Sequence, residues 1–480
     1  MAMNPVVVSH EEKRIHEFYQ IVYLLQSLGV RRGDRIRGGP SEKQEPCTVA
    51  KHRRNVADAL AYMAAYDKKP DRVTAVALGK EEGRLVVWIA ANKRVRDKVK
   101  DFLATVLNWL DKIACGTESE KGDFLNFVLW FNREGVNKYY ENFLYFWGLY
   151  YKPHKSTSLQ ILGPRVQETH MADESRIGHD VLQELDIWIR RTFYRGDKGL
   201  QLEDMANLAK ECHQARKRGR DVFDMLREAS GQGIMSPHEY EQLHSLLYKI
   251  GKNVTLCRKL IDARMSLPED FKQGTVVKSV YVPPRRLNGI KRNYSFDSIS
   301  THIFQSESEK QAFYDHVNRF YDPDVVSEQL QNCAKYQPPV HAEIQLISHF
   351  DTHNSRLLDE RNPYIGCSKP ACYLCYKYIT DHPRQWFRPP SHQKLYHRWS
   401  LPEIRGNENR EEFLATTAEV LRHDLREEIA KQQGPRSVYD DSTAGATTAL
   451  SCGPSASTIG VGVEGTEKLE DDTDGGVSLL

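Results

Sequence analysis

The chain has 480 residues, 40% of them hydrophobic and 28% charged, with a formal net charge of +2. That length predicts two or more domains, or one domain with a large insertion. The longest uninterrupted apolar run, Leu85 to Ala91, falls far short of the roughly 18 residues a membrane-spanning helix needs, and no membrane partner is expected.

Charge is unevenly placed. From Asp441 onward seven acidic residues face one lysine, so the rest of the chain is mildly basic. Such a body tolerates phosphate-bearing ligands but is weaker than a typical nucleic-acid footprint. Nine cysteines, scattered singly apart from Cys367, Cys372 and Cys375, argue against a disulfide framework and for a reducing compartment. The first residues, MAMNPVVVSHEEKRIHEF, lack the apolar stretch of a secretory signal, and an intracellular protein, cytoplasmic or nuclear, is expected.

In chain order, Glu11 to Leu28 predicts a helix from the spacing of Ile15, Phe18, Ile21, Val22 and Leu25. A polar, glycine-bearing loop follows, then a second helix through NVADALAYMAAYD. Two apolar runs, Val73–Leu78 and Leu85–Ala91, joined by GKEEG, predict a β-hairpin apolar enough to lie inside a sheet. From Lys93 to about Asp270 the pattern is almost wholly helical. Val95, Val99, Phe102, Leu103, Val106, Leu110 and Ile113 share one face, and the aromatic-dense FLNFVLWFN and NFLYFWGLYY read as helix-bundle core. The run Arg216-Lys217-Arg218-Gly219-Arg220 reads as a solvated helix end rather than a phosphate contact. Around VVKSVYVPPRRLNGIKRNYSFDSIS the chain turns irregular, as a connector or a β-containing segment. Helices resume through SEKQAFYDHVNRFY and EEFLATTAEVLRHDLREEIAKQ, and the Gly/Ser/Thr/Asp-rich end reads as a disordered tail.

Two short segments carry the chemistry. In PPVHAEIQLISHF the prolines favour an extended approach, and Ile344, Ile347 and Phe350 mark a helix face, so His341 and Glu343 fall in its first turn. In YIGCSKPACYLCYKYIT a short strand, Tyr364 to Cys367, is followed by a turn and a helix start that puts Cys372 and Cys375 on one face. The positive end of that helix lowers a thiol's pKa. Two thiolates and an imidazole suit Zn2+ and leave a fourth tetrahedral position open for water, whose pKa there falls towards about 7. Glu343 is then placed to move the water's proton, with backbone N–H groups of the second helix start pointing toward the same place. A closed structural site with Cys367 as fourth ligand is the competing reading; it leaves Glu343 without a role, and a lone cysteine in an apolar strand is more often a small buried hydrophobe. His349, His353, His382, His392 and His397 lack partners at metal spacing and read as ordinary polar residues, and Cys333 reads as inert.

His341-Ala342-Glu343 with Pro370 and Cys372-x-x-Cys375 resembles the H-x-E…P-C-x-x-C motif of zinc-dependent nucleobase deaminases. HAEIQLI, GCSKPACYLCYKYI and KLYHRWSLP together resemble a fungal-expanded, deaminase-like family of that superfamily, over roughly 335 to 425. Ala371 departs from the pattern, separating Pro370 from Cys372. The resemblance implies an α/β fold, a helix–sheet–helix sandwich with zinc between two helix N-termini. It also implies that Asn92, at the end of the hairpin, resembles the asparagine placed near a ligand sugar; a polar strand-end residue is the other reading. Trp386, Phe387 and Trp399 lie nearby in sequence, and Trp399 is taken as the candidate for stacking on a base, core packing being the alternative.

The expected organisation is an N-terminal helix and loop (1–50), a first part of the deaminase-like domain (51–95), a large, mostly helical insertion (96–335), a second part with the zinc motif (336–430), and a disordered acidic tail (435–480). Two functions remain open at this point. One is hydrolytic deamination of a nucleobase in a nucleoside, nucleotide or single-stranded nucleic acid. The other is a non-catalytic, zinc-binding scaffold whose helical insertion binds a protein or nucleic-acid partner. Substitution of Glu343 separates them.

Overall fold

The computed structural model describes residues 10–29, 34–39, 48–67, 69–113, 116–160, 172–193, 200–215, 222–284, 294–304, 306–335, 338–353, 355–402 and 408–434. The basic run at 216–220 and the C-terminal segment 435–480 lie outside them. The fold is mixed α/β. Two compact units are present: one holds residues 1–66, 70–111 and 263–439, the other chiefly residues 112–262.

In the first unit, α1 (His10–Ser27) and α2 (Thr48–Ala64) precede the hairpin β1 (Thr74–Glu81) and β2 (Arg84–Ala91), followed by α3 (Asp97–Ile113). All five apolar residues predicted for the α1 face are buried. The hairpin is longer than its apolar runs. Lys80 pairs with Leu85 and Glu81 with Arg84, leaving only Glu82 and Gly83 as the turn. Both have positive φ, 48° and 82°, the condition for a two-residue turn that matches strand twist. Polar residues in GKEEG therefore extend the strands instead of ending them.

The second unit carries α4 (Glu118–Gln160), α5 (Ala172–Phe193), α6 (Leu202–Gln214), α7 (Val222–Gly231) and most of α8 (Pro237–Ser266). Phe143 and Trp147 of α4 pack with Leu185, Ile189 and Phe193 of α5 and Leu246 of α8. The aromatic stretches are only partly core, since Trp130 is 50% and Tyr145 62% exposed.

The chain then returns to the first unit through α9 (Pro268–Phe271), β3 (Thr275–Val280), α10 (Phe296–Ile303), α11 (Glu307–Phe320) and α12 (Pro323–Ala334). The segment read as a mostly helical insertion thus contributes a strand of the sheet, in the stretch expected as a connector or a β-containing segment. β3 runs parallel to β2, from Leu85 opposite Thr275 to Ala90 opposite Val280. After it come α13 (Ala342–Thr352), β4 (Arg356–Leu357), β5 (Gly366–Cys367), α14 (Tyr373–Asp381) and α15 (Glu408–Lys431).

The sheet order is β3-β2-β1-β4, with β5 also antiparallel to β1 through Ala75–Cys367 and Val76–Gly366. Strand alternation puts Ala75, Ala77, Val86, Trp88 and Ala90 into one core with Ile344, Ile347 and Phe350 of α13 and Leu374 and Ile379 of α14. Helix α2 packs against β1 and β5. Gly366 permits this approach: a Cβ there would lie 2.3 Å from the carbonyl carbon of Ala57.

Candidate metal centre

His341 is the N-cap of α13 and Cys372 the N-cap of α14, both in extended backbone (φ −67°, ψ 152° and φ −73°, ψ 168°). His341 therefore stands just outside the first turn in which it was expected, while Glu343 lies within it. The two helix starts bring His341, Cys372 and Cys375 into one cluster whose ligand atoms all lie within 4.8 Å of one another. His341 Nδ1 is 3.7 Å from Cys372 Sγ and 3.3 Å from Cys375 Sγ. Tetrahedral zinc with Zn–S of about 2.3 Å and Zn–N of about 2.0–2.1 Å places neighbouring donor atoms about 3.5–3.8 Å apart. The donor set and its spacing fit that ion.

The remaining contacts orient these donors. His341 Nε2 donates to the carbonyl of Arg398 at 2.8 Å, which leaves Nδ1 as the atom facing the sulfurs. Trp399 Nε1 donates to Cys375 Sγ at 3.3 Å, and the Cys375 amide donates to Cys372 Sγ at 3.4 Å. Arg398 and Trp399 reach the site because Ser400 pairs beside Val340: its amide donates to the Pro339 carbonyl at 3.1 Å and its hydroxyl to that of Pro338 at 3.0 Å. This accounts for the segment KLYHRWSLP. Its contributions are a backbone carbonyl and an indole N–H.

Glu343 is buried, 4% exposed, with Oε2 3.9 Å from Cys375 Sγ. Burial pushes its carboxyl up, against the opposing charge of His341. For His341, burial alone would lower the imidazole, but the Cys372 thiolate, Glu343 and the Arg398 carbonyl together raise it to about 9. Cys372 is held well below the usual thiol range. Burial opposes this, but the hydrogen bond from Cys375 and the charge of His341 outweigh it. Cys375 is pushed well up, by burial first and then by the neighbouring Cys372 thiolate.

The other sequence candidates take different places. Cys367 lies outside the cluster, its thiol donating to the Ile365 carbonyl at 3.7 Å. Burial first, then the charges of Glu343 and Asp58, raise it well above the usual range. Asn92 stands at the N-terminus of α13: its Oδ1 accepts from the Ala342 amide at 3.0 Å, and its Nδ2 donates to the Pro70 carbonyl at 3.0 Å. Each end of its amide thus makes a hydrogen bond within the chain, as a polar strand-end residue would. Trp399, 1% exposed, packs its ring beside Phe18 and Phe413, a core position that offers no open face to a base. The amides expected to point at the reacting oxygen are partly committed, Ala371 to the Pro390 carbonyl and Tyr373 to that of Lys394. Among the described residues, His349, His353, His382, His392 and His397 join no metal-binding cluster.

Gln345 and the Arg398 carbonyl are site residues that sequence reasoning missed. So was a local charge bias. From Arg361 to Pro402 the chain carries Arg361, Lys369, Lys377, Arg384, Arg388, Lys394 and Arg398 against Asp381 alone.

A family model of OTT_1508-like deaminases matches residues 340–403. This part of the chain is deaminase-like. The match begins one residue before His341 and ends just beyond the strap bearing Arg398 and Trp399. No curated protein sequence and no solved structure matches the chain. Among the described residues no helix is long and apolar enough to cross a membrane.

Proposed function

We propose that the chain is a zinc-dependent hydrolytic deaminase acting on a nucleobase carried by a nucleotide or a single-stranded nucleic acid. The observation that carries this reading is the convergence of His341 Nδ1 and two cysteine sulfurs beside a buried carboxylate, Glu343, inside the segment that matches a deaminase family. His341, Cys372 and Cys375 would hold the metal, which when bound supplies a Lewis acid that makes water a nucleophile near neutral pH.

The chain's own groups do the rest. Glu343 Oε2 takes a proton from the attacking water and returns it to the ring nitrogen; a second transfer goes to the departing amine. Water adds at the ring carbon, the C–N bond breaks and ammonia leaves. A carboxyl raised by burial suits both directions of transfer, because its two protonation states lie closer in energy near neutral pH. The Arg398 carbonyl holds the imidazole in one tautomer, and the Trp399 N–H stabilises negative charge on Cys375. The basic bias of 361–402 favours a phosphate-bearing substrate over a free base. A base inside a duplex cannot reach such a site, so a polymeric substrate is single-stranded or flipped.

The test is ammonia release from the zinc-loaded chain across nucleosides, nucleotides, single-stranded DNA and single-stranded RNA. Release from at least one phosphate-bearing class, lost on Glu343→Ala with zinc still bound, is the expected result. No release from any class, with about one zinc per chain present, refutes the reading.

A further inference from the structure

Gln345 lies one turn into α13 and is fully buried, at 0% exposure. Its side chain makes three hydrogen bonds to three separate stretches of backbone. Nε2 donates to the carbonyl of Ala91, the last residue of β2, at 2.7 Å, and to that of Val340 at 2.8 Å. Oε1 accepts from the amide of Val282, two residues beyond β3, at 3.1 Å. The two carbonyls and the one amide fix which way the side-chain amide is turned. Both Nε2 hydrogens are used.

Val340 precedes the ligand His341 and Ala342 follows it. Gln345 holds the first, and Asn92 Oδ1 holds the second. His341 Nε2 is tied separately to the Arg398 carbonyl. Nδ1 is thus located by a tether at the far side of the ring and by anchors on both sides of its Cα. The anchors come from the chain on either side of the long excursion between β2 and β3.

We propose that Gln345 and Asn92 are positioning residues of the metal centre, fixing His341 by clamping its two neighbours to the ends of β2 and β3. This rests on the metal-site reading above. An apolar side chain at 345 leaves two carbonyls and one amide buried without their partner, and the low local dielectric makes each loss more costly than at a surface. Released from one anchor, the His341 backbone samples positions in which Nδ1 no longer meets the two sulfurs together. Groups that orient a metal ligand in this way act on affinity and on coordination geometry.

The experiment loads the full chain with Co2+ and measures affinity by chelator competition together with the thiolate charge-transfer and d–d absorption bands. Gln345→Leu and Gln345→Glu are expected to weaken binding about 10–100-fold and to shift the d–d bands. Asn92→Ala, at a less buried position, is expected to move both in the same direction. Asn92→Asp, which keeps an acceptor for the Ala342 amide, is expected to stay within a few-fold of the unsubstituted chain. Val87→Ala removes apolar volume from a fully buried β2 residue outside the core shared with α13; it is expected to cost stability while leaving spectrum and affinity in place. Wild-type affinity and bands in Gln345→Glu and Asn92→Ala overturn the proposal, as does Val87→Ala moving them equally. A wild-type chain that takes up no cobalt overturns the metal reading and this inference with it.

Discussion

Replacing Glu343 by Gln tests the proposed chemistry with the least disturbance to the fold. Glu343 is 4% exposed, and an amide of nearly the same shape fills its space without opening a cavity. The substitution removes the proton acceptor, and no neighbour can take over. His341 Nε2 is committed to the Arg398 carbonyl, and Nδ1 faces the two sulfurs. General acid–base catalysis contributes about 10²–10⁴-fold, or about 2.7–5.4 kcal/mol of barrier. Because one carboxyl serves two transfers here, the loss should fall at the upper end. Folding should not suffer, since burial raises the carboxyl. A raised acid lends stability below its unfolded value, about 4.3, and loses that contribution as pH rises through the folded value. The neutral amide escapes the loss, so at neutral pH the melting midpoint of Glu343→Gln should equal or exceed that of the unsubstituted chain. Ammonia release, zinc content and thermal melting on one preparation decide the matter. More than a tenth of the activity remaining, or loss of zinc, refutes the assignment.

Gly366→Ala should destabilise the first unit by at least about 1–3 kcal/mol, because its Cβ would meet the α2 backbone at Ala57 and Asp58, which cannot swing aside; a urea midpoint equal to the unsubstituted chain counts against this packing. Stability should fall as pH drops from about 6.5 toward 4, because two imidazoles are held neutral by the fold. His349 is lowered to about 4 by burial and then by His353, and His397 to about 4 by burial and then by Arg398. The unfolded chain takes up those protons first, so His349→Gln and His397→Gln should each flatten the acid limb of urea midpoint against pH. Profiles that overlay the unsubstituted one exclude these groups as its source.

The candidate metal cluster was legible because each half of it is local: Cys372 and Cys375 share a helix start, and His341 stands two residues before Glu343. The hairpin was legible as two apolar runs, but its ends were not, since Lys80, Glu81 and Arg84 pair in the ladder while reading as loop. The short strand expected at Tyr364 to Cys367 is present as β5, Gly366–Cys367, whereas β4 has only two residues, too few to show any period. β3 is hidden differently. The stretch around it reads as a connector or a β-containing segment, but Lys278 and Ser279 break the apolar pattern and its partner lies far away along the chain, so its place in the sheet is not announced. Gln345 was invisible because α13 is buried on most sides, Gln345, Leu346 and Ser348 included, whereas one-faced periodicity predicts only Ile344, Ile347 and Phe350 inside. A backbone carbonyl such as that of Arg398 has no sequence signature at all.

The two sulfurs of α14 share a helix turn and a place in the candidate metal cluster, yet among protein groups alone their thiols are shifted in opposite directions. Burial would raise Cys372, but the hydrogen bond with the Cys375 thiol, the charge of His341 and, last, the Cys375 backbone N–H outweigh it. Cys375, although 3.3 Å from His341 Nδ1, is pushed up by burial first and then by the Cys372 thiolate and Glu343, with the Trp399 N–H opposing. The Cys375 thiol, shifted well up, and the His341 imidazole, raised to about 9, therefore keep their protons at neutral pH until a metal binds. A metal ligand must be a thiolate or a neutral imidazole, so zinc uptake has to expel the Cys375 proton and the His341 proton, about two per ion. Calorimetric titration with zinc in buffers of differing ionisation enthalpy measures that number directly. Apparent affinity should then fall steeply as pH is lowered from neutrality, with a slope near two on a logarithmic plot. Release of no proton at neutral pH would mean that the triad is already deprotonated, and the opposed ionisation of Cys372 and Cys375 would be wrong.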